Sequence, residues 1–161
     1  MTLPALSTGA ACCLFVAGLL HAAVTDLMSR RIVNATVLAL LAGYLPLALG
    51  AGLGWTVIIT SAIAAVLVFG IGFACFCAGW MGGGDVKLAA VAVLWIGAGQ
   101  VVPYLLLAAV FGALITLLFL GLDRWQNGAG ANDPPSADGI PYGPGLVLAG
   151  LALFSTSPWF A

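Results

Sequence analysis

Two aspartates, Asp26 and Asp85, are the residues of this chain best placed to do chemistry. Asp26 follows the first apolar run, and Asp85 follows three glycines in the order Gly-Gly-Gly-Asp-Val-Lys-Leu over residues 82–88. The chain has only five acidic residues, and all of them are aspartate. An ionisable group beside the hydrocarbon of a membrane is costly, so it is by default a candidate for function.

Two carboxylates a few ångströms apart can hydrolyse a peptide bond by sharing one proton around a water molecule. Like charges at that distance cannot both ionise, so one pKa rises while the other stays low. The ionised group draws a proton from the attacking water, and the protonated group hydrogen-bonds the scissile carbonyl and later helps protonate the leaving amine. Because the pair titrates as a unit, neither role is assigned to one aspartate. The two residues predict an aspartic protease.

The glycines before Asp85 have two predicted uses. Without a Cβ, the glycines from Gly82 to Gly84 can take backbone angles closed to other residues. They can also let a substrate strand lie close to the enzyme backbone beside the carboxylate. We therefore expect an irregular segment at the water interface, with room for a substrate helix to unwind.

These residues also have structural interpretations. Asp85 suits the N-cap of a helix after a glycine break, and Asp26 has Arg30 as an i+4 partner. Lys87 fits an interfacial anchor that reaches lipid headgroups. Two other functions stay open, a small ion-coupled transporter with an aspartate relay and a non-enzymatic membrane subunit of a pilus or secretion assembly. A relay needs polar groups through the membrane depth, whereas both aspartates belong to the same predicted end.

The composition requires a membrane. The 161 residues are 63% hydrophobic and 6% charged, with a mean hydropathy of +1.21, whereas soluble domains carry roughly 25% charged residues. The apolar runs are continuous, which indicates helices rather than strands of a barrel. Four lysines and arginines exclude a nucleic-acid-binding surface. The four cysteines lie in apolar runs and lack the spacing of a zinc site.

Apolar runs predict an all-α polytopic membrane protein with about six transmembrane helices, at ~20 residues for each span. We expect a single domain over residues 1–161 without a separate soluble domain, and a polar loop at 123–141. The predicted helices cover 5–25, 35–51, 56–78, 86–99, 102–122 and 143–160.

The basic residues predict the orientation. With six spans, the segments 26–34, 79–87 and 123–141 share one side, and they hold every basic residue of the chain, namely Arg30, Arg31, Lys87 and Arg124. The positive-inside rule then places both aspartates at the cytoplasmic face. The fourth apolar run is the shortest. If it were a re-entrant segment, Arg124 would lie on the outer side of the membrane, so we expect this run to cross the membrane.

Three motifs in order resemble those of the bacterial prepilin peptidases, the type IV leader peptidases among the Gly-x-Gly-Asp membrane aspartic proteases. They are the segments 26–34, 82–88 and Gly-Ile-Pro-Tyr-Gly-Pro at 139–144. The resemblance implies Asp26 and Asp85 as the catalytic pair, with Gly82 and Gly84 at the glycine positions of the signature. The other residues expected to shape the site are Asn34, Lys87, Pro141, Tyr142, Gly143 and Pro144. Residues 141–144 also suit a simple turn that starts a helix.

The resemblance also implies the substrate and the location. Relatives of this kind remove the short basic leader of prepilins or pseudopilins, just before the hydrophobic helix, at the cytoplasmic face of the bacterial inner membrane. The expected partners are therefore these precursors and membrane lipid, with no nucleic acid, in the setting of pilus assembly or protein secretion.

Two departures from the family pattern refine the expectation. Residues 32–34 read Ile-Val-Asn where the family has Ile-Pro-Asn, which predicts a less rigid turn. Larger members carry a cytoplasmic domain with paired Cys-x-x-Cys motifs and also N-methylate the new terminus. The 26–34 connection leaves no room for that domain. We expect a short, peptidase-only form similar to those of Flp-type (tight adherence) pilus systems, without methyltransferase activity, S-adenosylmethionine, zinc or another cofactor.

Overall fold

The computed structural model describes residues 2–127 and 142–160, and its regular structure in these ranges is entirely helical. The α-helices are α1 (Leu3–Ser29), α2 (Asn34–Ala51), α3 (Trp55–Cys77), α4 (Gly83–Ile96), α5 (Val101–Asn127) and α6 (Gly143–Phe154). Short 3-10 helices follow at Ala98–Gln100 and Pro158–Phe160. Each predicted apolar run forms a helix, which confirms the all-α fold. Most of the predicted loop at 123–141 lies outside the described residues.

Four segments are long and apolar enough to cross a membrane: α1, α2, α3 and the stretch Ala98–Leu122 that contains most of α5. At most 28% of the residues in the apolar window of any one of them are buried, so their side chains mostly face outward. A surface of this kind needs lipid as its solvent. The chain is therefore a polytopic membrane protein, in which α4 and α6 are shorter helices of 14 and 12 residues.

The short helix α4 is the centre of the bundle. Every residue from Leu88 to Ile96 is buried, and the helix packs against α2, α3 and α6. The other main packing pairs are α1 with α2, α5 with α6, and α1 with α6. A helix of this length rises about 21 Å, which is less than the ~30 Å of bilayer hydrocarbon. Because its neighbours supply the lipid-facing surface, α4 need not match that thickness itself.

Aromatic side chains fix the end of α4 that lies away from Asp85. The Trp95 ring stacks on Phe15 and Trp159, with centroids 5.4 and 5.1 Å apart. The Trp95 indole N–H donates to the Leu40 carbonyl at 3.1 Å, and the Trp159 indole N–H donates to the Trp95 carbonyl at 2.8 Å. Buried indoles that keep a hydrogen-bond partner hold their helices in register. This cluster ties α4 to α1, α2 and the C-terminal segment.

Candidate active site

Asp26 and Asp85 line one cavity of about 310 Å³ at the end of the bundle where α4 begins. Its walls come from the last turn of α1, the connection to α2, the first turn of α2 and the first turn of α4 with the residue before it. The residues that line it are Asp26, Arg30, Arg31, Ile32, Asn34, Gly82, Gly83, Gly84, Asp85 and Lys87. Residues 26–34 and 82–88 therefore meet in space.

The Asp26 carboxylate is held by α6. Because α1 continues to Ser29, Asp26 lies inside the last turn of the helix rather than after it, and it is only 6% exposed. Its Oδ2 accepts a hydrogen bond from the backbone N–H of Gly143 at 2.9 Å. Arg30, four residues later, bonds to Asp26 through the backbone: the Arg30 N–H donates to the Asp26 carbonyl at 2.8 Å. The carboxylate is thus positioned by a residue 117 positions further along the chain.

The Asp85 carboxylate is held by its own helix. The N-cap of α4 is Gly82, and Asp85 lies three residues later in the first turn, so its interpretation as an N-cap is wrong. The Gly82 N–H donates back to the Asp85 side chain, in the manner of the acidic residue of a capping box. Asp85 is half-buried. Because it lies in a regular helical turn, the backbone fixes the position from which its side chain extends.

The glycine run serves close packing rather than unusual backbone angles, which corrects the prediction for Gly82 to Gly84, although residues 78–82 before α4 are irregular as expected. Gly82 has φ −71° and ψ 139°, an ordinary extended conformation, and the next two glycines are helical. The positive φ of this connection, 76°, is at Gly79 instead. A Cβ on Gly82 would lie 2.8 Å from Asp85 Oδ2, and a Cβ on Gly84 would lie 3.1 Å from the Ile32 Cβ. Side chains at these positions would push into the cavity wall.

The third motif both starts a helix and reaches the site. Tyr142 is the exposed N-cap of α6, and Gly143 and Pro144 are buried in its first turn. A Cβ on Gly143 would lie 2.6 Å from Asp26 Oδ2, so only glycine lets the backbone N–H approach the carboxylate this closely. The two interpretations of this motif are therefore compatible. Pro141 lies outside the described residues.

Asn34 and Lys87 join two walls of the cavity. The Lys87 ammonium donates to the Asn34 side-chain oxygen at 3.0 Å, which links the start of α2 to the first turn of α4. Val33, the N-cap of α2, has φ −71°, within the range that a proline ring imposes. Val33 therefore has a φ that a proline at this position could also adopt.

The cavity lies at the N-termini of α4 and α6, and this placement favours negative charge. Unpaired N–H groups and the helix dipole stabilise carboxylates there. Asp85 belongs to the short helix α4, which is not among the four segments long enough to span the membrane. Burial and then the nearby negative charge of Asp26 raise the pKa of the Asp85 carboxyl to about 6, while the hydrogen bond from Gly82 acts to lower it. One proton shared by the pair fits this electrostatic setting.

Three residues that line the cavity were not among the site residues predicted from the sequence. Arg30, Arg31 and Ile32 line it, and Arg30 adopts a left-handed conformation with φ 51° that ends α1. The signal for them was their position between Asp26 and Asn34, inside the first motif segment. In the part of the chain that the structure describes, no three His, Cys, Asp or Glu side chains group closely enough to hold a metal ion.

Comparison with known proteins adds a family match. A family model described as the type IV leader peptidase family matches residues 13–117, which is more than half of the chain. The matched range includes both aspartates and their flanking segments, whereas the motif at 139–144 lies beyond it. Searches of curated proteins and of solved structures each found no match.

Proposed function

This chain belongs to the type IV leader peptidase family, and from that premise we propose that it is an aspartic endopeptidase with Asp26 and Asp85 as its catalytic pair. The observation that carries the proposal is the shared cavity, where motifs distant in sequence bring the two carboxylates together. Each carboxylate accepts one backbone N–H, from Gly143 and from Gly82. Each therefore keeps a second oxygen for water or substrate.

The reaction needs one proton on the pair. The ionised carboxylate takes a proton from a water molecule as its oxygen attacks the scissile carbonyl, while the protonated carboxylate hydrogen-bonds the carbonyl oxygen. The resulting tetrahedral intermediate breaks its C–N bond as the amine gains a proton from the pair. The products are a carboxylic acid and an amine, between which one proton then passes to give a carboxylate and an ammonium group, and the pair returns to its singly protonated state. The N-termini of α4 and α6 stabilise the one negative charge of the site, which is on the pair before the attack and on the oxygen of the tetrahedral intermediate after it.

The proposed substrates are precursors of type IV, Flp-type pilins or pseudopilins, cut between a short leader and a hydrophobic helix. Family membership supports this class. Arg30, Arg31 and Lys87 line the cavity, and Arg124 lies in the last turn of α5. Basic residues gather on cytoplasmic loops, so we place the cavity at the cytoplasmic face of the bacterial inner membrane. The cut would then release a mature subunit for pilus assembly or protein secretion.

We further propose that the protein is a peptidase only. Residues 30–33 alone connect α1 to α2, where larger relatives of this kind insert a domain with paired Cys-x-x-Cys motifs. The cysteines of this chain are Cys12, Cys13, Cys75 and Cys77, and they form no such pairs. Incubating the purified protein with a cleaved pilin and labelled S-adenosylmethionine tests this part. Transfer of a methyl group to the new N-terminus would contradict it.

The decisive experiment is a membrane cleavage assay with a co-expressed Flp-type prepilin. Wild type is compared with Asp26→Asn and Asp85→Asn, and with Asp123→Asn as a control that removes a carboxylate outside the three motifs. The readouts are precursor size, the new N-terminus and the amount of enzyme in the membrane. We expect both variants of the pair to lose cutting while still inserting, and the control to cut like wild type.

Other results would reject specific parts of the proposal. Cutting at the wild-type rate by either asparagine variant of the pair would show that the pair is assigned wrongly. If wild type leaves a panel of pilin-like precursors uncut while proton flux in liposomes depends on Asp26 and Asp85, a transport role replaces the protease.

A further inference from the structure

We propose that the groove between α3 and α5 is the docking surface for the hydrophobic helix of the precursor, an inference that rests on the proposed function. The groove has a volume of about 330 Å³ and an almost wholly apolar lining. It is lined by Cys75 of α3, Trp80 and Met81 of the following connection, Leu105, Ala108, Ala109 and Gly112 of α5, and Tyr142 and Leu146 at the start of α6.

Among the described residues, none lines both the groove and the cavity, but two residues of the groove directly precede, along the chain, the glycines that hold the carboxylates. Met81 directly precedes Gly82, whose N–H holds the Asp85 carboxylate. Tyr142 directly precedes Gly143, whose N–H holds the Asp26 carboxylate. A chain that leaves the groove between Met81 and Tyr142 therefore arrives at the two carboxylates. This geometry suits a substrate cut directly before an apolar helix, since the helix stays in lipid while the bond before it enters the cavity.

The α5 wall has the spacing and side-chain size that helix packing requires. Leu105, Ala108, Ala109 and Gly112 follow the i, i+3, i+4, i+7 pattern of one helix face. Leu105 and Ala109 are the exposed members of this face, whereas Gly112 is buried against Gly145 of α6. Small residues let two helices approach closely in lipid, where van der Waals packing drives association. A whole helix is about 10 Å wide, so the groove takes the side chains of one of its faces, as in other helix-in-groove complexes.

Aromatic side chains mark the level of the membrane surface at the groove's cytoplasmic end. Trp80 is 81% exposed and Tyr142 is 50% exposed. Tryptophan and tyrosine favour the interface between hydrocarbon and headgroups. A precursor helix would therefore reach the interface beside these two residues, at the point where its leader begins.

A second apolar groove, between α2 and α3 in front of α4, provides an internal comparison. It has a volume of about 260 Å³, and Val66 is among its lining residues. It meets the cavity only at Lys87, whose ammonium is bonded to Asn34 at the rim. Neither Gly82 nor Gly143 adjoins it in sequence, so a helix there would meet this bonded pair before the carboxylates. We expect lipid acyl chains to occupy it.

Photo-crosslinking in membranes tests the docking surface. A benzophenone amino acid is placed at Ala109 in the α3–α5 groove, at Val66 in the second groove, or at Val110, the next residue of α5 and 53% exposed. Each is combined with Asp85→Asn so that an intact Flp-type prepilin stays bound. We expect the Ala109 probe to capture at least about five times more precursor than the other two. Stronger capture at Val66, equal capture at all three positions, or no capture would overturn the proposal.

Steady-state kinetics of the enzyme with both aspartates intact give an independent test. Ala109→Trp fills the groove at an exposed position, so KM for the full precursor should rise about tenfold, equivalent to 1.4 kcal/mol of binding, with kcat nearly unchanged. Val110→Trp adds the same ring outside the groove and should stay within about twofold of wild type. An unchanged KM for Ala109→Trp would overturn the docking surface while leaving the protease assignment standing. Failure of wild type to cut the precursor would instead overturn the proposed function.

Discussion

Each carboxylate of the candidate site is oriented by a backbone N–H that only glycine can bring so close. Gly143 reaches Asp26 from another helix, and Gly82 reaches Asp85 from within the same turn. A backbone donor is placed by its helix and has no rotamers to lose, so it fixes a carboxylate more firmly than a flexible side chain does. The glycines of the second and third motifs are thus positioning residues for the aspartates.

Gly143→Ala should strongly reduce cleavage. The added Cβ would lie 2.6 Å from Oδ2 and 2.9 Å from Cγ of Asp26, so the carboxylate or α6 must shift. Because a misplacement of about 1 Å can cost about 100-fold in rate, we expect a loss of that size in kcat. Gly70→Ala is the matched control, since nothing lies within 4 Å of its Cβ position. Equal activity of the two variants would show that the contact between Gly143 and Asp26 does not position the carboxylate.

The pH dependence of cleavage should reflect the shared proton. The pKa of Asp85 is raised to about 6, so the free enzyme holds this proton below that pH and loses it above. We expect kcat/KM to decline on the alkaline side with an apparent pKa near 6, and to decline again at low pH when the second carboxylate is protonated. The measurement uses a precursor without histidine near the cut site. A flat profile between about pH 5 and 8 would contradict the shared-proton mechanism.

At the scale of elements, the short helices α4 and α6 explain how a polar cavity exists in an apolar bundle. Both helices begin at the site, with Gly83 and Gly143 as their first residues. Their N–H groups and dipoles therefore point at the carboxylates. The longer helix α1 passes Asp26 and ends at Ser29, so the aspartate is shielded from lipid by its neighbours.

Gly145→Ala should destabilise the packing of α6 on α5. A Cβ on Gly145 would lie 2.8 Å from the Gly112 backbone nitrogen and 3.0 Å from its Cα. Backbone atoms cannot rotate away, so the helices must separate, at a cost of about 1–3 kcal/mol in the free energy of unfolding. Thermal unfolding in detergent should show a lower midpoint. Gly121→Ala in α5, with open space at its Cβ, should keep or raise the midpoint, because alanine favours helix by about 1 kcal/mol. Equal midpoints would argue against a tight crossing here.

The sequence predicted the helices well because hydrophobic runs have a direct physical meaning in lipid. Helix ends were harder, since they depend on local breaks: α6 stops at Phe154 rather than 160, with Pro158 starting a separate turn. The close approach of Gly143 to Asp26 joins residues 117 positions apart, and no local pattern encodes such a contact. Only the ordered motifs indicated it. The helical conformation of the second and third glycines of the run was missed for the same reason, because packing against Ile32 and Phe76, not local flexibility, requires glycine there.

At the scale of the whole molecule, the two ends of the bundle differ in charge and in chemistry. Within the described residues, Arg30, Arg31, Lys87 and Arg124 all belong to the end with the cavity. The opposite end contains the 52–54 and 97–100 connections and the aromatic cluster, and these segments hold no basic residue. The cavity and the proposed docking groove also lie at or open toward the charged end. One charge asymmetry would therefore set both the orientation of the chain and the side from which the leader is cut.

Cysteine labelling should place the charged end in the cytoplasm. With the four native cysteines replaced by alanine, Met28→Cys marks the cavity end at a side chain that is 82% exposed, and Gly99→Cys marks the other end at an open position. A membrane-impermeant maleimide added to intact cells should label Gly99→Cys, and Met28→Cys should react only after the membrane is opened. The reverse pattern would place the carboxylates outside, beyond the reach of a leader still in the cytoplasm. Labelling at both sites in intact cells would mean that the four basic residues do not fix one orientation of the chain. Another feature would then have to place the cavity at the cytoplasmic face.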